Sequence, residues 1–258
     1  MTEETASNET SAACKAASTN DVIDVAVIGA GPAGLTAGLY AARAGLNVVL
    51  FERISPGGQL AQTEHMENYP GFPEGTGGFE LAFAMKQQAD RFGASNVGEE
   101  VVSVDFTQNP KVLTTAFNEY RAKSVIIATG ARPRKLGLEL EEDLPNLEFV
   151  WNAVPRKLVA DEGKLAGVRL EMLETGEERD IAVDGLFVAV GTEPNTEFLG
   201  GALQCDETGY IVADESCATE VPGVFAAGDV RTKFLHQVVT AVSDGAVCAE
   251  EAAEYLAI

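Results

Sequence analysis

Basic residues are scarce: 18 lysines and arginines face 40 aspartates and glutamates, for a net charge of −22. Such a surface repels phosphate backbones and anionic bilayers, so neither nucleic acid nor a membrane is expected as a partner. Histidine occurs twice, at His65 and His236, and cysteine four times, at Cys14, Cys205, Cys217 and Cys248. No Cys-x-x-Cys occurs and no spacing suits zinc; a metal site is not expected, and a histidine-based triad has little material to draw on. No apolar run reaches the roughly 18 residues of a membrane span. Residues 1–20 are polar and lack the apolar stretch of a secretion signal. The expectation is a cytoplasmic protein whose residues 1–20 form a disordered tail.

What is present is a hydrophobic share of 46% over 258 residues, enough for a substantial core. Asp21–Ile28 is β-branched and almost continuously apolar, as a parallel strand buried on both faces should be. Leu35–Ala44 predicts a helix and Asn47–Phe51 a second buried strand, which makes a βαβ unit. Gly78–Phe92 has helical spacing and ends at Gly93. Three short strands are expected between Val101 and Ile127 as a β-meander, and a further strand group between Leu147 and Val183 with a turn at Glu174–Glu177. A core pattern returns at Leu186–Gly191, a last buried strand at Gly223–Ala227, and an amphipathic helix over Gln237–Leu256.

Between the first strand and the first helix lies Gly29-Ala30-Gly31-Pro32-Ala33-Gly34. A pyrophosphate needs backbone N–H groups at close range and a helix N-terminus aimed at it, and side chains at the contact points would block the approach. Gly29 permits the tight turn, Gly31 the approach to phosphate, and Gly34 close packing of helix on strand. Glu52 ends the second strand, where a carboxylate accepts from both ribose hydroxyls and repels a 2′-phosphate. That favours FAD or NAD over NADP, with Gly29, Gly31, Pro32, Ala33, Gly34 and Glu52 as contacts.

Three further segments carry a resemblance. They are Gly57-Gly58-Gln59-Leu60 with Thr63 and Glu67-Asn68-Tyr69-Pro70-Gly71-Phe72-Pro73, then Ala128-Thr129-Gly130-Ala131, then Val221 to Val230 with its Ala227-Gly228-Asp229. Together the pattern resembles the flavin domain of the low-molecular-weight thioredoxin reductases, two-dinucleotide-fold flavoproteins, over residues 21 to about 143 and 146 to 258. The resemblance implies FAD as cofactor and a homodimer. It implies Asp229 at the ribitol, Gln59 near ribitol and phosphates, and Asn68 and Gln237 near the flavin ring. Gly58, Leu60, Thr63, Ala128, Thr129, Gly130, Gly228, His236 and Val238 complete the implied set. Val102 would meet the adenine through its backbone. Read as plain residues, Asp229 is also a candidate helix N-cap, Asn68 a turn residue and Val102 a core-strand residue. At His236 the family usually has Arg or Lys, and a neutral histidine there weakens any anion contact.

The family carries a second dinucleotide domain for NADPH, with a Cys-x-x-Cys pair inside it. Between Gly130 and Leu186 no second glycine fingerprint and no cysteine occur. Cys205, Cys217 and Cys248 are too scattered in sequence to presume a replacement pair, and structural thiols are expected. The expected fold is α/β: an FAD-binding dinucleotide fold with a parallel sheet, β-meander and helices, its central nicotinamide domain largely absent. Residues 21–140 and 184–258 are read as the two halves of that fold, and 141–183 as a residual β-meander of a truncated NADPH domain. No residue is assigned as catalytic. Two functions remain open, a flavin-dependent electron-transfer enzyme with an external donor and a redox protein as acceptor, or a flavin-holding remnant without turnover.

Overall fold

The computed structural model describes residues 21–134, 150–187 and 191–257. The expected tail over 1–20 and the junction near 141–146 lie outside these residues. Contacts divide the chain into two compact units, the described residues within Met1–Arg132 and Glu193–Ile258, and those within Pro133–Thr192.

The larger unit is built on β1 (Ile23–Ile28), α1 (Pro32–Arg43), β2 (Val48–Phe51), α2 (Gly78–Arg91), β3 (Ser95–Val97), β4 (Val101–Asp105), β5 (Lys111–Thr115) and β6 (Glu119–Ile127). β7 (Ala131–Pro133) carries the chain out of it. In the smaller unit follow β8 (Ala153–Asp161), β9 (Lys164–Met172) and β10 (Glu178–Ile181). β11 (Thr192–Pro194) brings the chain back and pairs with β7; β12 (Val224–Ala226) and α3 (Val238–Ala257) complete the larger unit.

The main sheet has the order β3-β2-β1-β6-β5-β4, and β12 also pairs with β6. β3, β2, β1, β6 and β12 run parallel, while β4, β5 and β6 form the antiparallel meander. The alternation of side chains explains the unbroken apolar run of β1. Val25 and Val27 join one core cluster with Leu35, Leu50 and Cys248, and Ile23, Ala26 and Ile28 join another with Phe51, Leu113 and Ile127. α3 lies so close to α1 that a Cβ at Gly245 would strike the Ala33 carbonyl.

Register positions the site. Ile28 stands beside Phe51 on one side and Ile127 on the other, and Ile127 beside Ala226. The residues that follow these strand ends, Gly29, Glu52, Ala128 and Ala227, therefore share one rim, the carboxyl edge where ligands bind open α/β sheets.

The smaller unit is an antiparallel sheet of order β10-β9-β8. Leu165 and Val168 are its buried hydrophobic side chains among the described residues. Its outer faces carry ion pairs instead, Arg169 with Asp180 at 2.7 Å and Arg156 with Glu171 at 2.5 Å. The expected core pattern at Leu186–Gly191 is not met where it is described: Phe187 is 89% exposed, and residues 188–190 lie outside the described set. β3 has no apolar run to announce it; its Ser95-Asn96-Val97 pairs with β2 at the sheet edge.

Candidate functional site

The glycine loop follows β1 and ends on Pro32, the first residue of α1. Gly29 has φ +103°, a region open to glycine, and a Cβ there would strike the Ala128 carbonyl. A Cβ at Gly34 would strike the Gly29 carbonyl, so helix and loop touch backbone to backbone. Gly31 differs: a Cβ there meets nothing within 4 Å. The N-terminus of α1 has no side-chain cap and no acidic residue in its first turn, so its N–H groups remain available to an anion. Ala33 is buried beneath them. The Gly57-Gly58 turn folds over this loop, with Gly57 N–H donating to Ala30 O at 2.7 Å and the Cβ position of Gly58 lying 3.5 Å from Gly31 Cα.

At the end of β2, Glu52 is held by two backbone donors. Ala30 N–H reaches its Oε2 at 3.1 Å and Ile54 N–H its Oε1 at 3.2 Å. The carboxylate is thereby fixed beside the glycine loop with lone pairs to spare. Val102 is not a core-strand residue: it is 48% exposed, at an irregularity in the β4–β5 pairing between Val101 and Ser103. Its exposed side chain stands at that irregularity on the sheet's edge strand.

After β6, Ala128, Thr129 and Gly130 run along the same rim. Thr129 Oγ1 donates to Asn195 O at 2.8 Å, Asn195 Nδ2 donates back to Thr129 O at 2.8 Å, and Asn195 N–H donates to Gly130 O at 3.0 Å. Asn195 was not foreseen from the sequence.

β12 leads into a tight turn at Gly228–Val230, in which Gly228 and Val230 are buried, as is Ala227 before it. Asp229 does not cap α3, which starts at Val238. Its Oδ1 is buried and has no hydrogen-bond partner among the described residues. Burial pushes its carboxyl above the ordinary range, against the pull of His236 and Lys233.

Asp229 opens into a cavity of about 690 Å³. Gln59, Leu60, Thr63, Asn68, His236, Gln237 and Val238 line it with Asp229, as do His65, Met66 and Glu67, which the sequence reading left out. Asn68 Nδ2 donates to Gln237 Oε1 at 2.7 Å, joining the two amides, and Gln59 Nε2 donates to Ala131 O. His236 lies with its Nε2 3.4 Å from Arg231 O and its ring 5.4 Å from that of Tyr210. The chain's two histidines thus face the same cavity. Its lining mixes apolar walls with a few convergent polar groups, the makeup of a small-molecule or cofactor site. Among the described residues no group of three His, Cys, Asp or Glu could hold a metal ion, and no helix is long and apolar enough to cross a membrane.

The pyridine nucleotide-disulphide oxidoreductase family model matches residues 23–146 and 139–245. A thioredoxin reductase of Peptoclostridium litorale is 35% identical over 309 positions, covering 92% of this chain and 98% of the relative. That of Streptomyces clavuligerus is 36% identical, covering 92% and 95%. Since 309 positions exceed the 258 residues of this chain, the first relative holds positions that have no counterpart here. Among solved structures, Lactococcus lactis thioredoxin reductase superposes with a TM-score of 0.81 at 31% identity, covering 91% of this chain and 99% of that one. The T. acidophilum enzyme gives 0.78 at 30% identity, covering 91% and 99%. The chain belongs to the pyridine nucleotide-disulphide oxidoreductase family and, within it, to the thioredoxin reductases, which are flavoprotein disulfide oxidoreductases.

Proposed function

We propose that this chain binds FAD and has lost the NADPH-dependent reduction of thioredoxin. The observation that carries the first half is Asp229: a buried carboxylate oxygen without a hydrogen-bond partner among the described residues, in the lining of a cavity, suits a ligand hydroxyl. The rim fits the rest of such a ligand. Gly31 leaves open space before an uncapped helix N-terminus for a pyrophosphate, and Glu52 stands fixed for a ribose. Pro32, Ala33 and Gly34 would form the first turn against the phosphates, with Gly58, Gln59, Leu60 and Thr63 over them. Ala128, Thr129, Gly130 and Gly228 would line the rim, and the exposed bulge at Val102 would offer its backbone to the adenine. Asn68, His236, Gln237 and Val238 would sit around the ring. When bound, FAD supplies two-electron redox chemistry. The protein's part is to orient it through Asp229, Asn68 and Gln237.

The second half rests on what the sequence lacks. Hydride transfer needs a nicotinamide held against the flavin, and exchange with a substrate disulfide needs a paired dithiol. Residues 21–140 and 184–258 are read as the two halves of an FAD-binding domain, and 141–183 as the remnant of an NADPH domain. The relative's positions without a counterpart in this chain support a truncation, as does the slight hydrophobic burial of the smaller unit. The test is an absorption spectrum of the purified protein before and after anaerobic NADPH. A flavin spectrum that NADPH leaves unbleached is expected; a colourless protein that takes up no FAD overturns the first half, and rapid bleaching the second.

A second reading, an electron-transfer enzyme served by an external donor and a redox protein acceptor, is favoured by the exposure of Asn68 and Gln237 at the cavity. We place either activity in the cytoplasm. The protein is further proposed to be a homodimer; the exposed, stacked Phe79 and Phe83 on α2 support an interface, and a monomeric mass by light scattering at micromolar concentration would overturn it.

A further inference from the structure

β6 ends at Ile127, and the chain leaves the main sheet through Ala128, Thr129 and Gly130. This rim stands directly against the glycine loop. Ala128 N–H donates to Ile28 O at 2.8 Å. A Cβ at Gly29 would lie 2.4 Å from Ala128 O and 3.1 Å from Thr129 Cα, so no side chain separates the two backbones. In so close a contact a displacement of the rim is passed on to the loop.

Two carbonyls and the hydroxyl of the rim converge on one residue just past β11. Asn195 Nδ2 donates to Thr129 O at 2.8 Å, Asn195 N–H donates to Gly130 O at 3.0 Å, and Asn195 O accepts from Thr129 Oγ1 at 2.8 Å. The amide is itself oriented. Arg132 Nη1 donates to Asn195 Oδ1 at 2.9 Å, and the guanidinium is held in turn by Glu193 at 3.2 Å and by Glu197. The amide oxygen therefore faces Arg132 and the amide nitrogen faces Thr129, an arrangement that only a side chain with both an acceptor and a donor satisfies. Asn195 lies outside the lining of the cavity, so what it does for a ligand it does through Thr129 and Gly130.

We propose that Asn195 is a positioning residue of the FAD site: by clasping Thr129 and Gly130 it sets the rim against which Gly29 rests, and with it the phosphate loop. The proposal rests on the reading of that loop as part of an FAD site. Two consequences separate a clasp from plain support. A carbonyl released by Asn195 has free lone pairs next to the loop assigned to the pyrophosphate, so the release acts against an anionic ligand. Asn195→Asp, almost identical in shape, keeps an oxygen for Arg132 but sets the other against the Thr129 carbonyl, where oxygen then faces oxygen.

The test uses the full chain, freed of flavin, at a temperature where far-UV circular dichroism shows wild type and variants fully folded. FAD is titrated by the change in its fluorescence, and the visible circular dichroism of the bound flavin is recorded at saturation. Under these conditions a merely structural contribution moves the unfolding midpoint and leaves both the dissociation constant and the flavin spectrum as in wild type. Asn195→Asp should weaken FAD binding by about 10-fold, for the loss of one hydrogen bond with repulsion in its place, and change the visible spectrum with it. Arg132→Gln, at a side chain that is 43% exposed, frees the amide to turn and should weaken binding by about 3-fold. It decides the matter should Asn195→Asp fail to fold. Uptake of FAD by wild type with equal affinity in the folded variants overturns this proposal alone. No uptake by wild type overturns the FAD reading, and the proposal with it.

Discussion

Asp244 on α3 grips Arg231 with both carboxylate oxygens, Oδ2 accepting from Nε at 2.9 Å and Oδ1 from Nη2 at 3.0 Å. Both side chains are at most 10% exposed. The same carboxylate accepts from Gly228 N–H at 2.8 Å, so the turn that presents Asp229 is fastened to α3 by a buried charge cluster. A shift of α3 therefore moves the floor of the cavity.

Removing that carboxylate strands two buried cations. Asp244→Ala should cost about 3–5 kcal/mol of stability, the usual penalty for breaking a buried ion pair. Burial alone would raise the Asp244 carboxyl, but hydrogen bonds from Arg231 and Lys233 outweigh it and hold the group below the ordinary carboxylate range. A depressed folded value means that the stabilisation is present above the unfolded value, about 3.9, and is lost as pH falls through the folded one. Urea midpoints of wild type and variant should differ most near neutral pH and converge in acid. A constant gap across that range would contradict the assignment.

Asp229 has the opposite sign. Its folded value is raised, chiefly by burial, so its contribution to stability is present below the unfolded value and lost as pH rises through the folded one. Burial penalises its charged form, and its Oδ1 has no hydrogen-bond partner among the described residues. Asp229→Asn should raise the urea midpoint of flavin-free protein at neutral pH while weakening FAD binding by about 10- to 100-fold, the worth of a hydrogen bond to a charged group. Paired denaturation and fluorescence titrations measure both. Loss of stability together with loss of binding would mean that Asp229 is structural.

The glycines of the loop should separate by role. Gly31 has an ordinary extended backbone, and its Cβ position faces open space, so Gly31→Val should leave the fold intact, seen by circular dichroism, and abolish flavin absorbance. Gly34→Ala drives a Cβ into the Gly29 carbonyl and should lose stability with or without FAD. Equal behaviour of the two variants would remove the phosphate role from Gly31.

The sheet rim was legible because both-face burial writes β1 and β2 as continuous apolar runs, and because the loop between them tolerates only glycine at Gly29 and Gly34. The α3 boundaries followed from periodicity and fall within a residue of those expected. What stayed hidden depends on partners distant in sequence. Asn195 matters because it bonds Thr129, 66 residues away, and nothing around Asn195 announces that. Cys217 and Cys248 look scattered in sequence, yet both belong to one core cluster. Val102 reads as a core-strand residue in a β-branched run, yet in β4 it is exposed, at an irregularity of the β4–β5 pairing. Phe187 misleads in the other direction, since its apolar run predicts a core that the side chain does not join.

Purified protein loaded with FAD should show no NADPH-dependent reduction of thioredoxin. The reaction requires a hydride donor held in reach of the flavin and a dithiol that can visit both flavin and substrate. Cys217 and Cys248 do not supply the second requirement, because both are buried in the core and cannot meet a protein disulfide without unfolding α3 from β12. Cys205 is exposed, but it is a single thiol, and burial of its sulfur with Asp206 and Glu220 nearby raises it, which lowers its thiolate fraction. A steady-state assay with NADPH and thioredoxin should therefore stay at the no-enzyme rate, whereas an ordinary turnover on the order of 1–10³ s⁻¹ would show that the chain has both a nicotinamide site and a mobile thiol pair. The same assay on Cys205→Ser should be indistinguishable from wild type. A difference between them would place the exposed thiol in a reaction that the buried pair cannot perform.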